Sequence, residues 1–553
     1  MTRTVFDPVS LEVMWSRLIN ITEECWITIW RTAFSTIIGE AQDFGCELLD
    51  ANGESLAHSP RSMPVFNLTL PRAVQALLHA YPKETLREGD VLITNDPWLC
   101  AGHLFDVALV TPVFRDGTVV ALVGSIAHCS DIGGTRDYQS AREVYEEGLQ
   151  IPPMKLYEAG EPNRTLFALI ERNVRKGEMV LGDIHAQHAA NRVAMKRLQA
   201  FMDHYDIDDL QDLAFEVQSR AEMAMRHAIA AMPDGTYSSR VRFDGAGEPL
   251  ELAVAITVEG DAMRVTWQAP PQLSVGGINC TMNYTAAHTV YALKSILTPD
   301  IPSNAGCFRP IEVVAPEGSV LNCHYPAAVN QRTQTGWYCA PAIFSALAEV
   351  LPESVQAFTG LPMGAGAYGR DEHGTYYNDH LFQGGGQGGS AHGDGQSALL
   401  YPTSAGNTSL EMFETRTPLV VEEKSFLADS AGPGRRRGGL GQRVSVRKLH
   451  DDGHSALLSL HPQGMLVATP GLHGGRSGRL ASIALERPEG RLADGALHGM
   501  AELRTPADLC VIDMPGGSGF GDPTERDPDL LARDVREGYV TEAGAAAYRE
   551  PST

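Results

Sequence analysis

The 553-residue chain has no apolar run of about 18 residues, and its N-terminus, MTRTVFDPVSLEVMW, carries no continuous apolar signal segment. Neither membrane spanning nor export is therefore expected. Positive charge is scarce: 44 Lys+Arg stand against 68 Asp+Glu, for a net charge of -24. That leaves no basic surface on which a nucleic acid or an anionic membrane would dock. The one basic cluster, Arg435-Arg436-Arg437, is short and flanked by glycine. The nine cysteines are odd in number and never spaced C-x-x-C. A disulfide framework is not expected, and a reducing cytoplasm is the expected compartment. There is no GxxxxGK[ST] phosphate loop, no G-x-S-x-G nucleophile elbow and no internal repeat of roughly 20 to 50 residues.

What is present is the composition of an ordinary globular protein, 43% hydrophobic and 20% charged, in a chain long enough for two to four domains. Apolar residues at helical spacing (Leu11, Met14, Leu18, Ile21, Cys25, Ile29) follow Asp7-Pro8, a helix start. CELLDANGESLAH reads as strand, Asn52-Gly53 turn and strand. VLIT and VALVTPVFRDGTVVALVGSIAH read as strands with a turn at Asp116-Gly117. Residues 163 to 232 read as mostly helical, and β-rich sequence begins at Tyr237. From 383 glycine is dense, between apolar runs such as RVSVRKL and ALLSL. These glycine stretches are expected to be ordered turns at strand junctions, with glycine supplying φ > 0 and close backbone packing. The expected fold class is α+β and multi-domain: an N-terminal α/β metal-site domain (1–235), a central α+β domain (236–382) and a glycine-rich, β-rich C-terminal domain (383–553).

Between the strands of GDVLITNDPWLCAGHLFDVALVTPVF (89–114) lie Asn95, Asp96, His103 and Asp106, polar groups that a buried strand junction does not need. Two further apolar runs end the same way: IIGEAQDFGCELLD carries Glu40 and Asp43, and SIAHCSDIGG carries His128 and Asp131. Two imidazoles and several carboxylates form the donor set of a borderline divalent cation such as Mn²⁺ or Zn²⁺. Taken singly, each segment also reads as a rim histidine or a turn. His185 and His188 lie three apart on a helix without an acidic neighbour in sequence and read as a solvated face. GGGQGGSAHGDG reads as turn structure, and Glu411 and Glu414 as a polar strand edge or subunit contact.

At these residues the chain resembles the hydantoinase B/oxoprolinase family. The resemblance is carried in order by GEAQDFGCELLDANG, GDVLITNDPWLCAGHLFDVALVTPVF, AHCSDIGG, EEGLQIPPMKL, GDIHAQHAANR, SNAGCFRPIEVVAPEGSVLN, DSAGPGRRRGGLG and MPGGSGFGDP. It implies a metal held by His103, Asp106 and His128, with Glu40 as a fourth ligand. It also implies Asp43 or Asp131 as general base, with Asn95, Asp96, Trp98 and Phe105 as substrate-binding or supporting groups. Gly102, Phe105 and Phe66 depart from the family's usual threonine, proline and histidine, which bears on the substrate. A separate, hydantoinase A-like ATP-binding subunit is implied, holding ATP-Mg and phosphorylating the substrate carbonyl, in a heterotetramer or larger complex. The reaction expected is hydrolysis of a cyclic amide, the alternative being carboxylation of a ketone. Acetone-carboxylase large subunits are longer than this chain, which favours the hydrolase. A non-catalytic scaffold is a third possibility, against which the intact His103/Asp106/His128 set argues.

Overall fold

A computed structural model describes residues 6–549 except 404, 462, 494–496 and 498. Helix α1 (Pro8–Thr32) starts where expected, its first turn capped by the Asp7 carboxylate accepting from Val9 and Ser10 N–H. After α2 (Thr36–Gly39) come β1 (Phe44–Asp50), β2 (Ser55–His58) and α3 (Pro64–Ala80). Strands β3 (Val91–Thr94), β4 (Asp106–Arg115), β5 (Thr118–His128), β6 (Met154–Glu158) and β7 (Glu161–Pro162) complete a sheet of order β2-β1-β5-β4-β3-β6-β7. All its pairs are antiparallel. The β4–β5 hairpin turns on Asp116 (φ 49°) and Gly117 (φ 75°), the left-handed pair that a two-residue turn requires. Strand β4 is buried along nearly its whole length. Both sheet faces are therefore covered, and the apolar run does not alternate.

Helices α4 (Arg164–Asn173), α5 (Gly177–Tyr205) and α6 (Gln211–Ala230) follow, as the sequence indicates. Next come β8 (Gly235–Asp244), β9 (Pro249–Glu259), β10 (Ala262–Gln268), α7 (Met282–Leu297) and β11 (Ile311–Val314), the four strands forming the sheet β11-β10-β9-β8. Helices α8 (Thr333–Gly336) and α9 (Cys339–Leu347) lead to the last part of the chain. The largest apolar core does not stop at residue 235: it joins α1, α3 and β1 to α7, β8–β10 and α9. A separate core lies between the C-terminal strands, from Met363 to Met514. Those strands are β12 (Met363–Arg370), β13 (Tyr376–Gln383), then, after helix α10 (Leu410–Arg416), β14 (Leu419–Phe426), β15 (Gln442–Lys448), β16 (Ala456–Leu460), β17 (Ser482–Arg487), β18 (Gly490–Ala493), β19 (Met500–Leu503) and β20 (Leu509–Asp513). They form the sheets β13-β12-β16-β19 and β14-β15-β20-β17-β18. Glu411 and Glu414 lie on α10, so the strand edge expected there is a helix.

The glycine-rich segments correct the turn expectation. Gly432, Gly434, Gly438, Gly439 and Gly441 are absent from the positive-φ residues. Stretches near 357–360, 384–389, 432–441 and 515–521 instead lie backbone to backbone: Gly432 N–H donates to Gly517 O (2.7 Å), Gly517 N–H to Gly439 O (3.0 Å), and Gly439 N–H to Gln387 O (2.7 Å). A Cβ added to Gly438 would stand 1.9 Å from Gly517 O, and one on Gly517 1.9 Å from Gln387 O. Glycine is required here for close approach, not for a left-handed turn. The neighbouring arginines reach carboxylates of this same chain, Arg437 to Asp534 (3.2 Å) and Arg435 to Glu525 (3.8 Å).

Candidate metal centre

The polar residues at the strand ends meet because of register. Asp106 opens β4 and His128 closes β5, and the two are direct partners in the antiparallel ladder. Asp43 immediately precedes β1, the strand on the other side of β5, and its carbonyl accepts from His128 N–H (3.0 Å). His103 arrives from the loop before β4, which turns at Gly102 with φ 90°. A Cβ on Gly102 would come within 2.9 Å of Arg332 Cδ, so the departure at Gly102 is tied to this arginine's seat.

His103 Nε2 lies 2.8 Å, and His128 Nδ1 3.1 Å, from Asp106 Oδ1. Asp43 Oδ2 is 3.9 Å from His128 Nδ1. Asp106 Oδ2 accepts from Arg332 Nη2 at 2.7 Å, and both groups are buried. His103 Nδ1 faces Asn330 Oδ1 at 3.3 Å. With that nitrogen donating, the unshared pair of His103 Nε2 points at a carboxylate oxygen. Although close, the two make no hydrogen bond in this geometry, and Nε2 is a buried nitrogen without a hydrogen-bond partner; Asp43 Oδ1 is likewise buried and unpartnered. Asp106 itself is partnered by Arg332 and His128, but the unmet His103 Nε2 and Asp43 Oδ1 beside it suit a shared cation. Ligands at right angles around a cation with bonds of about 2.1 Å stand about 3.0 Å apart, close to the spacing seen here. His103, Asp106 and His128 thus fit a divalent metal.

Burial opposes ionisation of Asp106, but His103 and then Arg332 outweigh it and hold the carboxyl well below the usual range. Burial, reinforced by Arg332, pushes His103 down to about 4, so it is neutral and able to ligate near pH 7. Asp43 is pushed up to about 6, by burial first, with His128 opposing.

These groups line a cavity of about 130 Å³ with Phe66, Phe105, Tyr284, Trp337 and Phe382. Phe105 stacks on the His128 ring, centroids 5.1 Å apart. The other polar residues singled out from the sequence are placed elsewhere. Glu40 is not brought to the cluster; its charge is felt by Asp379. Asp131 is held by Arg175 (Nη1–Oδ1 2.6 Å) and by Gly133 N–H, and does not line the cavity. Asn95 splices loops: its amide donates to Leu104 O and Leu149 O, and its oxygen accepts from Ile151 N–H. Asp96 accepts from Trp98 N–H, and Trp98 Nε1 donates to Cys323 O. The crowd of polar residues at this strand junction therefore divides into two candidate ligands and a set of loop ties. His185 and His188 stack on Phe167 and Tyr157.

Sequence reasoning did not find Arg332, Asn330, His288, His380 or His461, all in the cavity wall. Arg332 and Asn330 sit in AVNQRTQTG, a polar triplet against an apolar run; the three histidines stand singly, with no second histidine or cysteine close by in sequence. Glu147 of EEGLQIPP anchors the Asn330 loop, accepting from Val329 and Asn330 N–H at 2.8 Å each. Burial pushes its carboxyl up to about 8.

Fold and site define an α+β protein with a buried histidine–carboxylate cluster suited to a metal. The chain belongs to the hydantoinase B/oxoprolinase family, whose sequence model spans residues 7–523. It is 30% identical over 570 residues, 98% of this chain and 94% of the relative, to a protein of Pseudomonas sp. (strain NS671) assigned as the B component of a D-/L-hydantoinase. The crystal structure of ATP-dependent caprolactamase from Pseudomonas jessenii superposes with a TM-score of 0.91 at 26% identity, covering 99% of this chain and 96% of that one. Nucleotide-free acetone carboxylase shares the fold, with a TM-score of 0.83 at 19% identity over 98% of this chain and 79% of that one. Among the described residues no helix is long and apolar enough to cross a membrane.

Proposed function

We propose that the chain is the metal-dependent subunit of an ATP-dependent cyclic amide hydrolase. It acts on a substrate activated by phosphorylation on a hydantoinase A-like partner, which holds ATP-Mg, in a heterotetramer or larger cytoplasmic complex. The observation that carries this reading is the buried His103–Asp106–His128 cluster at the wall of a small, mostly apolar cavity. Membership of a family whose relatives include hydantoinase and caprolactamase subunits supports it.

His103 Nε2, Asp106 Oδ1 and His128 Nδ1 would hold Mn²⁺ or Zn²⁺. When bound, the cation supplies Lewis acidity at the reacting carbonyl. Arg332 keeps Asp106 ionised and aims its other oxygen at the cluster. Asn330 fixes the His103 ring. Asp43, with one free buried oxygen and a pKa raised to about 6, takes the proton of the attacking water and returns it to the departing ring nitrogen; the C–N bond breaks to leave an acyl phosphate, which a second water converts to the carboxylate and inorganic phosphate. Phe66, Phe105 and Phe382 limit water to what the reaction consumes.

The same dry aromatic wall favours a second reading, ATP-dependent carboxylation of a ketone, in which water must be kept from the carbon nucleophile. The deciding assay gives the metal-loaded complex ATP, ¹⁴C-bicarbonate and a panel of lactams, hydantoins and ketones. Ring-opened product in bicarbonate-free buffer is expected. ATP-dependent fixation of label into an acid-stable product overturns hydrolysis in favour of carboxylation.

A further inference from the structure

We propose that the cavity selects a substrate whose ring substituent is uncharged and aromatic or bulky and apolar, and that His288 supplies the hydrogen bond that orients it. The proposal rests on the cyclic amide reading and narrows its substrate class against rings that carry a carboxylate. Among the described residues, Arg332 is the one cationic side chain of the lining. It is already committed: Nη2 donates to Asp106, Nε donates to Ala101 O at 2.8 Å, and the guanidinium lies 4.4 Å from the centre of the Tyr284 ring. A metal held by His103, Asp106 and His128 would supply its charge at the reacting carbonyl. A second anion on the substrate would then be buried without a cation, which is strongly unfavourable.

The wall offers aromatic faces instead: Phe66, Phe105, Tyr138, Tyr284, Trp337 and Phe382. His288 is the polar exception. It stands on α7 one turn beyond Tyr284, edge-on to that ring at 4.5 Å, and is 3% exposed. Neither Nδ1 nor Nε2 has a hydrogen-bond partner. Burial and Arg332 keep the ring neutral, with a pKa of about 3, so one nitrogen donates and the other accepts. A buried imidazole with both nitrogens unmet matches a ligand that brings an N–H or a carbonyl to it.

The test is calorimetry on the full Mn²⁺-loaded chain near neutral pH, with 5-benzylhydantoin and hydantoin-5-acetate as matched probes. The benzyl compound is expected to bind at least about tenfold more tightly. His288→Leu is expected to weaken that binding about five- to tenfold, the loss of one hydrogen bond, with metal content unchanged. Equal or tighter binding of the acetate probe overturns the proposal. So does unchanged affinity in a His288→Leu chain that keeps its metal, and so does failure of both probes to bind with or without the ATP-binding partner. Should His288→Leu not fold, the selectivity of the parent chain decides. Neither ATP nor turnover enters the measurement. Selectivity without ATP-dependent ring opening would therefore remove the proposed reaction and leave the cavity's preference standing.

Discussion

Asp106 and His128 face one another across the β4–β5 ladder, Oδ1 to Nδ1 at 3.1 Å, and the register of two buried strands thereby fixes two of the three candidate ligands. Because the backbone ladder that seats Asp106 and His128 does not depend on the histidine side chains, trimming His103 and His128 should cost the metal and spare the fold. The double variant His103→Ala/His128→Ala is predicted to lose the roughly one equivalent of divalent metal expected per chain. Its circular dichroism spectrum should match the parent's. Elemental analysis showing full metal retention would remove the assignment.

Arg332 is the buried partner of Asp106. Replacing it with Met keeps length and leaves a buried carboxylate uncompensated. A loss of about 3–5 kcal/mol is predicted, read by urea denaturation of the metal-free chain. The double variant Arg332→Met/Asp106→Asn should recover part of it. A single variant as stable as the parent would show that the pair contributes nothing.

Asp43 must be ionised to accept a proton, and its pKa is raised to about 6. Activity of the complex is therefore predicted to fall on acidification. A bound cation stabilises the carboxylate, so the midpoint lies at or below about pH 6. Asp43→Asn should lower kcat by about 10²–10⁴ and abolish that acid limb. A variant that retains both rate and limb would exclude Asp43 as the base.

Gly438 and Gly517 pack against backbone, which cannot move aside as a side chain can. Gly438→Ala or Gly517→Ala is predicted to destabilise by more than about 3 kcal/mol or to prevent soluble expression. Gly453→Ala, which meets nothing within 4 Å, is the control for added bulk, although its φ of 73° carries its own strain. Wild-type melting temperatures in the Gly438 and Gly517 variants would contradict the close-packed arrangement.

Much of this was legible along the chain because it is local. The Asp7 cap, the helical spacing of α1 and the Asp116-Gly117 hairpin depend on residues a few positions apart. The placing of His103, Asp106 and His128 at the ends of apolar runs was legible too, although it is the β4–β5 register that brings them together. Of the two roles expected of the glycines, close backbone packing is what Gly432, Gly434, Gly438, Gly439 and Gly441 serve and left-handed turns are not, because density in sequence does not distinguish the two. Gly438 and Gly517 lie far apart along the chain, and only their approach explains them.

The sequence by itself determined most strands and helices and set His103, Asp106 and His128 at the ends of apolar runs, because apolar periodicity and turn chemistry act over a few residues; the family resemblance picked them out as ligands. Tertiary structure alone decided what surrounds those ligands. It brought Asn330 and Arg332 more than 220 positions to His103 and Asp106, and set His288, His380 and His461 in the cavity wall. It also separated Glu40 and Asp131 from the cluster, giving Asp131 to Arg175 and leaving Asp43 with a free buried oxygen. The physical reason is that a side chain's charge state and partners follow from what is packed against it, and no single segment of the chain carries that information.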